Sequence, residues 1–297
     1  MPMNSNPPEG APMSTANDPT PISYTIRVPP VRVSAAGLTD VGLTRDNNED
    51  AFLLRDLRGS RFLEDLDKSF KIRSEDEEPA LLLAVSDGMG GQRAGEVASA
   101  TALMTLDEKM LEATRSDGFW AMDETRHWLE KAVQEANLRV LAKSREDAST
   151  KGMGATLSAM VILGDRVSIA HVGDSRVYLV RSGRLRQLTM DHTHVQDLVS
   201  RGHLSVEQAR VHQERNLLIQ AIGIVESIVV DLTELAAAQG DTIMLCSDGV
   251  HDFVTDGQIG EVLRSDGSPN QRCAQLIEAA KHGGGSDNIT AVVAQFE

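Results

Sequence analysis

Aromatic residues make up only 3% of this chain, too few flat side chains for a stacking platform that reads nucleic-acid bases. Positive charge is scarce as well. Lys and Arg total 29 against 44 Asp and Glu, a formal net charge of -15, which argues against nucleic acid as a partner. A phosphorylated substrate would meet the same repulsion, so any phosphate site needs metal ions or a placed arginine to reverse the field locally. Cysteine occurs twice, as Cys246 and Cys273, with no CxxC and no Cys/His spacing of the metal type, so neither a disulfide framework nor a zinc site is indicated. No apolar run approaches the ~20 residues of a membrane span, and no basic start followed by an apolar stretch marks a secretory signal. The expectation is a cytoplasmic protein without a membrane span. Proline is nearly confined to one end: eight of the ten lie within residues 1–30, among Ser, Asn and Gly, a composition that reads as a disordered tail.

What remains, from about Val31 to Glu297, is 41% hydrophobic over the whole chain and long enough for one large domain. Its organising stretch is Ala80-Leu81-Leu82-Leu83-Ala84-Val85, a short apolar run after Pro79 that ends in Ser86-Asp87-Gly88-Met89-Gly90-Gly91. The length and flanking residues predict a buried strand. The pattern returns as Thr242 to Cys246 followed by Ser247-Asp248-Gly249. One Asp-Gly after a strand reads as a turn. Two buried strands each ending in a carboxylate can instead set hard oxygen ligands side by side, the arrangement Mg²⁺ or Mn²⁺ prefers.

Other segments add to the set. Arg45-Asp46-Asn47-Asn48-Glu49-Asp50 runs straight into Ala51 to Leu54, so a polar cluster that alone reads as a solvated loop ends with Asp50, and with it Glu49, at the start of a strand. Residues 55–78 are charged and irregular and read as a surface insertion. Apolar residues from Ala94 to Met104 and from Leu129 to Val140 recur at helical spacing and predict two helices covering a sheet. Strands follow at Ala155 to Leu163, Arg166 to Val172 and Ser175 to Val180. Asp174, in the turn between the last two, is either a hairpin aspartate or a third carboxylate. Thr189 to Asn216 reads as short helices outside the sheet, with a capping box at Ser205 to Gln208; surface or capping roles are expected for His192, His194, His203 and His212. Strands are expected again at Ile228 to Leu232 and Thr242 to Cys246. A helix opens at Ser268-Pro269, and a glycine loop delivers Asp287 onto a final strand.

Read in order, Arg45 to Asp50, Asp87-Gly88-Met89-Gly90-Gly91, Gly152-Met153-Gly154-Ala155-Thr156, Gly173-Asp174-Ser175-Arg176, Ser247-Asp248-Gly249 and Asp287-Asn288 resemble the metal-dependent protein serine/threonine phosphatases of the type 2C family, and closely its bacterial branch. The resemblance covers about Val33 to Phe296. It implies an α+β fold, a four-layer αββα sandwich of two antiparallel sheets flanked by helices, with two Mn²⁺ or Mg²⁺ ions at one edge. By the family pattern Asp87 bridges the ions and the Gly88 carbonyl binds one of them. Asp248 and Asp287 hold one metal, Asp50 completes the site directly or through water, and Glu49 supports it. Asp174, with Asp248, matches a third, weaker metal site, and Arg45 matches the arginine that grips the substrate phosphate. The activity implied is hydrolysis of phosphoserine and phosphothreonine in proteins, opposing a bacterial Ser/Thr kinase and carried out by a monomer.

Two departures stand out. Met89 occupies a position where many eukaryotic relatives carry a histidine, so a metal-bound water or a histidine of the Thr189 to Asn216 flap has to supply the leaving-group proton. Asn216 to Gly223 is a looser version of the family's stretch. Substrate choice is expected to reside in the flap. Competing readings are a binding module with structural metals, and a two-metal nuclease or small-molecule phosphoesterase. The first is opposed by a complete acid set, the second by charge and motif order.

Overall fold

The computed structural model describes residues 32–58, 70–73, 79–90, 94–116, 119 and 121–297. The Pro-rich tail, Val31, most of the 55–78 insertion and Gly91 lie outside the described residues. In chain order the elements are β1 (Val33–Asp40), β2 (Asp50–Asp56), β3 (Phe70–Arg73), β4 (Ala80–Met89), α1 (Ala94–Ala113), α2 (Met122–Glu146), β5 (Gly154–Ala155), β6 (Leu157–Leu163), β7 (Arg166–Val172), β8 (Arg176–Arg181) and β9 (Arg184–Gln187). They continue with α3 (His194–Ser200), α4 (Val206–Arg210), β10 (Asp231–Ala236), β11 (Thr242–Cys246), α5 (Asp248–His251), α6 (Asp256–Arg264), α7 (Pro269–His282) and β12 (Ile289–Phe296).

One sheet runs β3-β1-β12-β11-β8-β9 and the other β10-β7-β6-β4-β2, with β5 added at the end of β4. All pairings are antiparallel. The apolar runs are continuous because each central strand is covered on both faces. Along β4, Leu81, Leu83 and Val85 point into the core between the sheets, while Ala80, Leu82 and Ala84 face the core under α1 and α2. On β12, Val292, Ala294 and Phe296 face the other sheet, and Ala291 and Val293 face α6 and α7. The layers are therefore helix, sheet, sheet, helix, as expected. Each fully buried leucine contributes about 1.5–3 kcal/mol relative to exposure.

Several boundaries differ from the sequence expectation. The strand expected at Ile228 to Leu232 is Asp231–Ala236, which pairs with β7. Ile228 is β-branched and buried, but it packs in the core under α2 and makes no ladder, so burial rather than pairing explains its apolar character. Arg55 and Asp56 belong to β2, and β3 lies inside the stretch read as irregular. Arg55 is itself buried, its guanidinium bonded twice to Asp107 of α1. His192 is also buried rather than a surface residue. The capping boxes at Ser205 and Ser268 form as expected. No helix among the described residues is long and apolar enough to cross a membrane.

Candidate metal and phosphate site

The acid-bearing strand ends meet at one edge of the sandwich. Asp50 opens β2 directly opposite Asp87 on β4. Rather than leaving the sheet at Asp87, β4 runs on to Met89, because Gly88 and Met89 pair with Ala155 and Gly154 of β5. Asp248 stands in the first turn of the short helix α5, Asp287 in the loop before β12, and Asp174 in the turn between β7 and β8.

Polar side chains join the two sheets at this edge. Ser247 Oγ donates to Asp50 Oδ2 at 2.6 Å and accepts from Thr290 N at 3.1 Å. Asn288 Oδ1 accepts from Glu49 N at 2.8 Å, and its amide donates to Val41 O and Asn47 O at 3.0 and 2.9 Å. Thr156 Oγ1 accepts from Asp87 N at 3.0 Å, and the Thr156 N–H donates to Asp87 O at 2.8 Å. The His251 Nε2–H donates to Asp174 O at 3.0 Å. Two glycines allow the close approaches. A Cβ on Gly88 would sit 2.0 Å from Gly95 O in the first turn of α1, and Gly42, at φ +78°, would place one 2.0 Å from Asp287 O.

A cleft of about 540 Å³ lies over this edge, with Arg45, Glu49, Asp87, Gly88, Asp174, Asp248 and Asp287 among its walls. Asp50 does not line it. It lies behind Asp87, only 7% exposed and tethered by Ser247. Arg45 sits at the mouth and donates to Asp287 Oδ2 at 2.9 Å. The structure thus brings together every carboxylate singled out from the sequence, with Asp50 underneath rather than in the wall. Ser247, Asn288, Thr156 and His251 were given no role from the sequence. The serine that precedes Asp-Gly in both organising motifs was the available signal for Ser247.

Burial and mutual repulsion act together on these acids. Burial, then Asp50, Asp248, Asp174 and Asp287, push the Asp87 carboxyl well above the usual range. Burial, then Asp174 and Asp287, do the same to Asp248. Asp50 is pushed up to about 6, mainly by burial against the opposing Ser247 bond, and Asp174 to about 7 by burial and Asp191. A cluster of this kind wants protons or cations.

Glu49 Oε1, Asp50 Oδ1 and Asp248 Oδ1 are buried with no hydrogen-bond partner in the protein. Buried carboxylate oxygens without donors are costly unless a cation serves them, and an all-oxygen donor set suits Mg²⁺ or Mn²⁺. The residues present therefore fit such ions. No three His, Cys, Asp or Glu side chains among the described residues close on one point tightly enough to cage an ion by themselves. A shell here would include backbone carbonyl and water, as Mg²⁺ commonly does.

The family described as Protein phosphatase 2C matches residues 67–278. A serine/threonine phosphatase, stp, of Listeria monocytogenes is 35% identical over 86% of this chain and 93% of its own length. The Mycobacterium tuberculosis serine/threonine phosphatase PstP/Ppp is 35% identical and superposes with a TM-score of 0.74, covering 90% of this chain and 99% of the other. A catalytic domain of PstP in complex with two manganese ions, at 33% identity, gives a TM-score of 0.71 over 90% of this chain and 99% of that one. The chain belongs to the protein phosphatase 2C family, whose members are metal-dependent hydrolases acting on phosphoproteins.

Proposed function

We propose that this protein hydrolyses phosphoserine and phosphothreonine in other proteins and so reverses a bacterial Ser/Thr kinase, acting as a monomer in the cytoplasm. The observation that carries the reading is the acidic cleft, whose buried carboxylate oxygens want a cation, with Arg45 at its mouth. Asp87, the Gly88 carbonyl, Asp248 and Asp287 would hold two ions, with Asp50 and Glu49 supporting from beneath and beside. Asp174, with Asp248, would take a third. Mn²⁺ or Mg²⁺, when bound, supplies a more acidic water near neutral pH and neutralises phosphoryl charge.

The chain's own residues do the rest. Arg45 spends one guanidinium nitrogen on Asp287 and keeps other donors for phosphate oxygens, a fork that lysine lacks. Ser247 and Asn288 fix the acids they touch, so the cleft is organised before substrate arrives. Among the described residues, no histidine lines the cleft. His192 has both ring nitrogens engaged, by Gly173 N and Asp231 Oδ2, and Met89 has no proton to give. Of the two proton sources weighed for the leaving oxygen, water therefore fits better than a flap histidine. The flap reading finds support in a second cavity of about 480 Å³, which shares Asp174 and Asp248 with the cleft and is walled by α3, α4 and α5. The two cysteines stay buried as free thiols, in keeping with a reducing compartment.

The test is hydrolysis of a phosphothreonine peptide with Mn²⁺, with EDTA, and by Asp87→Asn and Asp248→Asn. Turnover that needs metal and drops at least about a hundredfold in both variants is expected. A folded, Mn²⁺-supplemented wild type without turnover would leave only a binding module.

A further inference from the structure

The acidic cleft has a second wall of opposite character. Beyond β5, whose Ala155 pairs with Gly88 and exchanges bonds with Ile222, runs Asn216 to Val225, and on it Leu217, Ile219, Ile224 and Val225 each leave about half their surface in solvent while lining the same cavity as Arg45 and Asp87. Their neighbours Ala221 and Ile222 are buried, so this is not a frayed loop whose apolar residues happen to be exposed.

Three tethers hold the backbone. At one end His194 N donates to Leu217 O and Ile219 N to His192 O, both at 2.8 Å. In the middle Ile222 and Ala155 exchange bonds of 2.8 and 3.0 Å. At the other end the fully buried Asn137 of α2 accepts from Gly223 N at 2.8 Å and donates to Val225 O at 2.9 Å. Aliphatic side chains held into a cleft on a fixed backbone form a preorganised surface, because little conformational freedom is lost when something covers them.

We propose that this lip is the subsite for the residues that flank the phosphorylated Ser or Thr, so that preferred substrates carry a bulky aliphatic or aromatic side chain next to the phosphoresidue. The inference rests on the phosphatase reading above. The occupant is set by continuity and by charge. Arg45, Asp87 and the lip line one cavity together, so a peptide with its phosphate beside Arg45 has Leu217 to Val225 within reach of its neighbouring residues. An extended chain advances only about 3.3 Å per residue, which keeps the immediate neighbours within the cleft. A chain of net charge -15 offers an acidic flank no attraction, and contact with apolar side chains is what the lip provides.

The test uses two phosphothreonine peptides of equal length and charge, one with Leu and one with Ser on both sides of the phosphothreonine. The enzymes are wild type, Leu217→Ser with Ile219→Ser, and the conservative Leu217→Met with Ile219→Leu, all with Mn²⁺. The ratio of the two kcat/KM values is the readout, so any loss common to both peptides cancels. In wild type it should favour the Leu peptide about tenfold, chiefly through KM. It should fall towards one in the serine variant and persist in the conservative one. A wild-type ratio near one, or a ratio kept by the serine variant, would overturn the assignment. A lip that instead joined two copies of the chain would show as a dimer dissociated by the serine substitutions with the ratio intact. Failure of the phosphatase reading is separate and visible as no metal-dependent turnover of either peptide by folded wild type, which would remove the lip's role as well.

Discussion

At the scale of single residues, Arg45 keeps a charge at the cleft mouth while burial keeps His171 neutral. Arg45 is half exposed and shares its guanidinium with Asp287, so its worth lies in what its free donors bind. Arg45→Lys keeps the charge and loses the fork. Peptide kcat/KM should fall about 10- to 100-fold, the range of one or two charge-assisted bonds, and a variant within twofold of wild type would remove Arg45 from the phosphate site. His171 is buried, and its Nε2–H donates to Met190 O while Nδ1 accepts from Ser158 Oγ at 2.9 Å. Burial, and then the neighbouring His192 ring 4.9 Å away, lower its pKa from 6.5 to about 4. Below pH 6.5 the unfolded chain takes up a proton there that the native protein refuses until about pH 4. Its contribution is therefore whole above pH 6.5 and is lost as the pH falls towards 4, about 3 kcal/mol across the window. Urea unfolding at several pH values should show wild type losing stability faster than His171→Gln between those limits, and parallel slopes would refute it.

At the scale of elements, strands read from apolar runs were the legible part, and what joins them was not. The start of β4, the end of β11 and the start of β12 follow from short apolar stretches begun after Pro79, cut off before Asp-Gly or begun after a glycine loop, because a strand covered on both faces has to be apolar throughout, whereas the end of β4 passes its Asp-Gly to pair with β5. Arg55 was not legible. It sits in a charged stretch, and only the packing of β2 on α1 shows it buried against Asp107. Asp107→Ala takes that partner from a buried guanidinium and should cost about 3–5 kcal/mol in chemical denaturation. A loss below about 1 kcal/mol would mean the pair is replaceable by its other contacts. His192 teaches the same lesson. Its place in a polar stretch suggested surface, yet bonds to Gly173 N and Asp231 tie the start of the flap to β10 and to the turn that carries Asp174.

For the whole molecule, the site trades stability for function. Asp50 and Asp174 are buried, and Asp87 and Asp248 half-buried, close together at one edge of the sandwich, and their mutual repulsion is what the protein without metal must endure. With EDTA, Asp87→Asn and Asp248→Asn should melt above wild type although both are expected to lose turnover. Mn²⁺ at a hundred times its Kd should add about 2.7 kcal/mol to wild type, roughly 5–10 °C in Tm for a domain of this size, and less to either variant. Scanning calorimetry of the three proteins with EDTA and with Mn²⁺ checks the order of the melting points. A wild type melting no lower than its variants without metal would contradict the strain described.

By itself the sequence determined the elements and the acids, and its family resemblance implied the layers. Continuous apolar strands, amphipathic helices and an Asp at each critical strand end are local patterns, and local patterns survive in one dimension. Only the tertiary structure decided how those acids are shared out: Asp50 beneath the cleft, Asp87 and Asp248 in its wall, Arg45 at its mouth. Ser247 reaches Asp50 across 197 positions, and Asn288 reaches Glu49 across 239. The apolar lip from Leu217 to Val225 belongs to the same class. Its residues look like core in sequence, and they line the cleft because Asn137, Ala155 and His192, from three other parts of the chain, hold their backbone there.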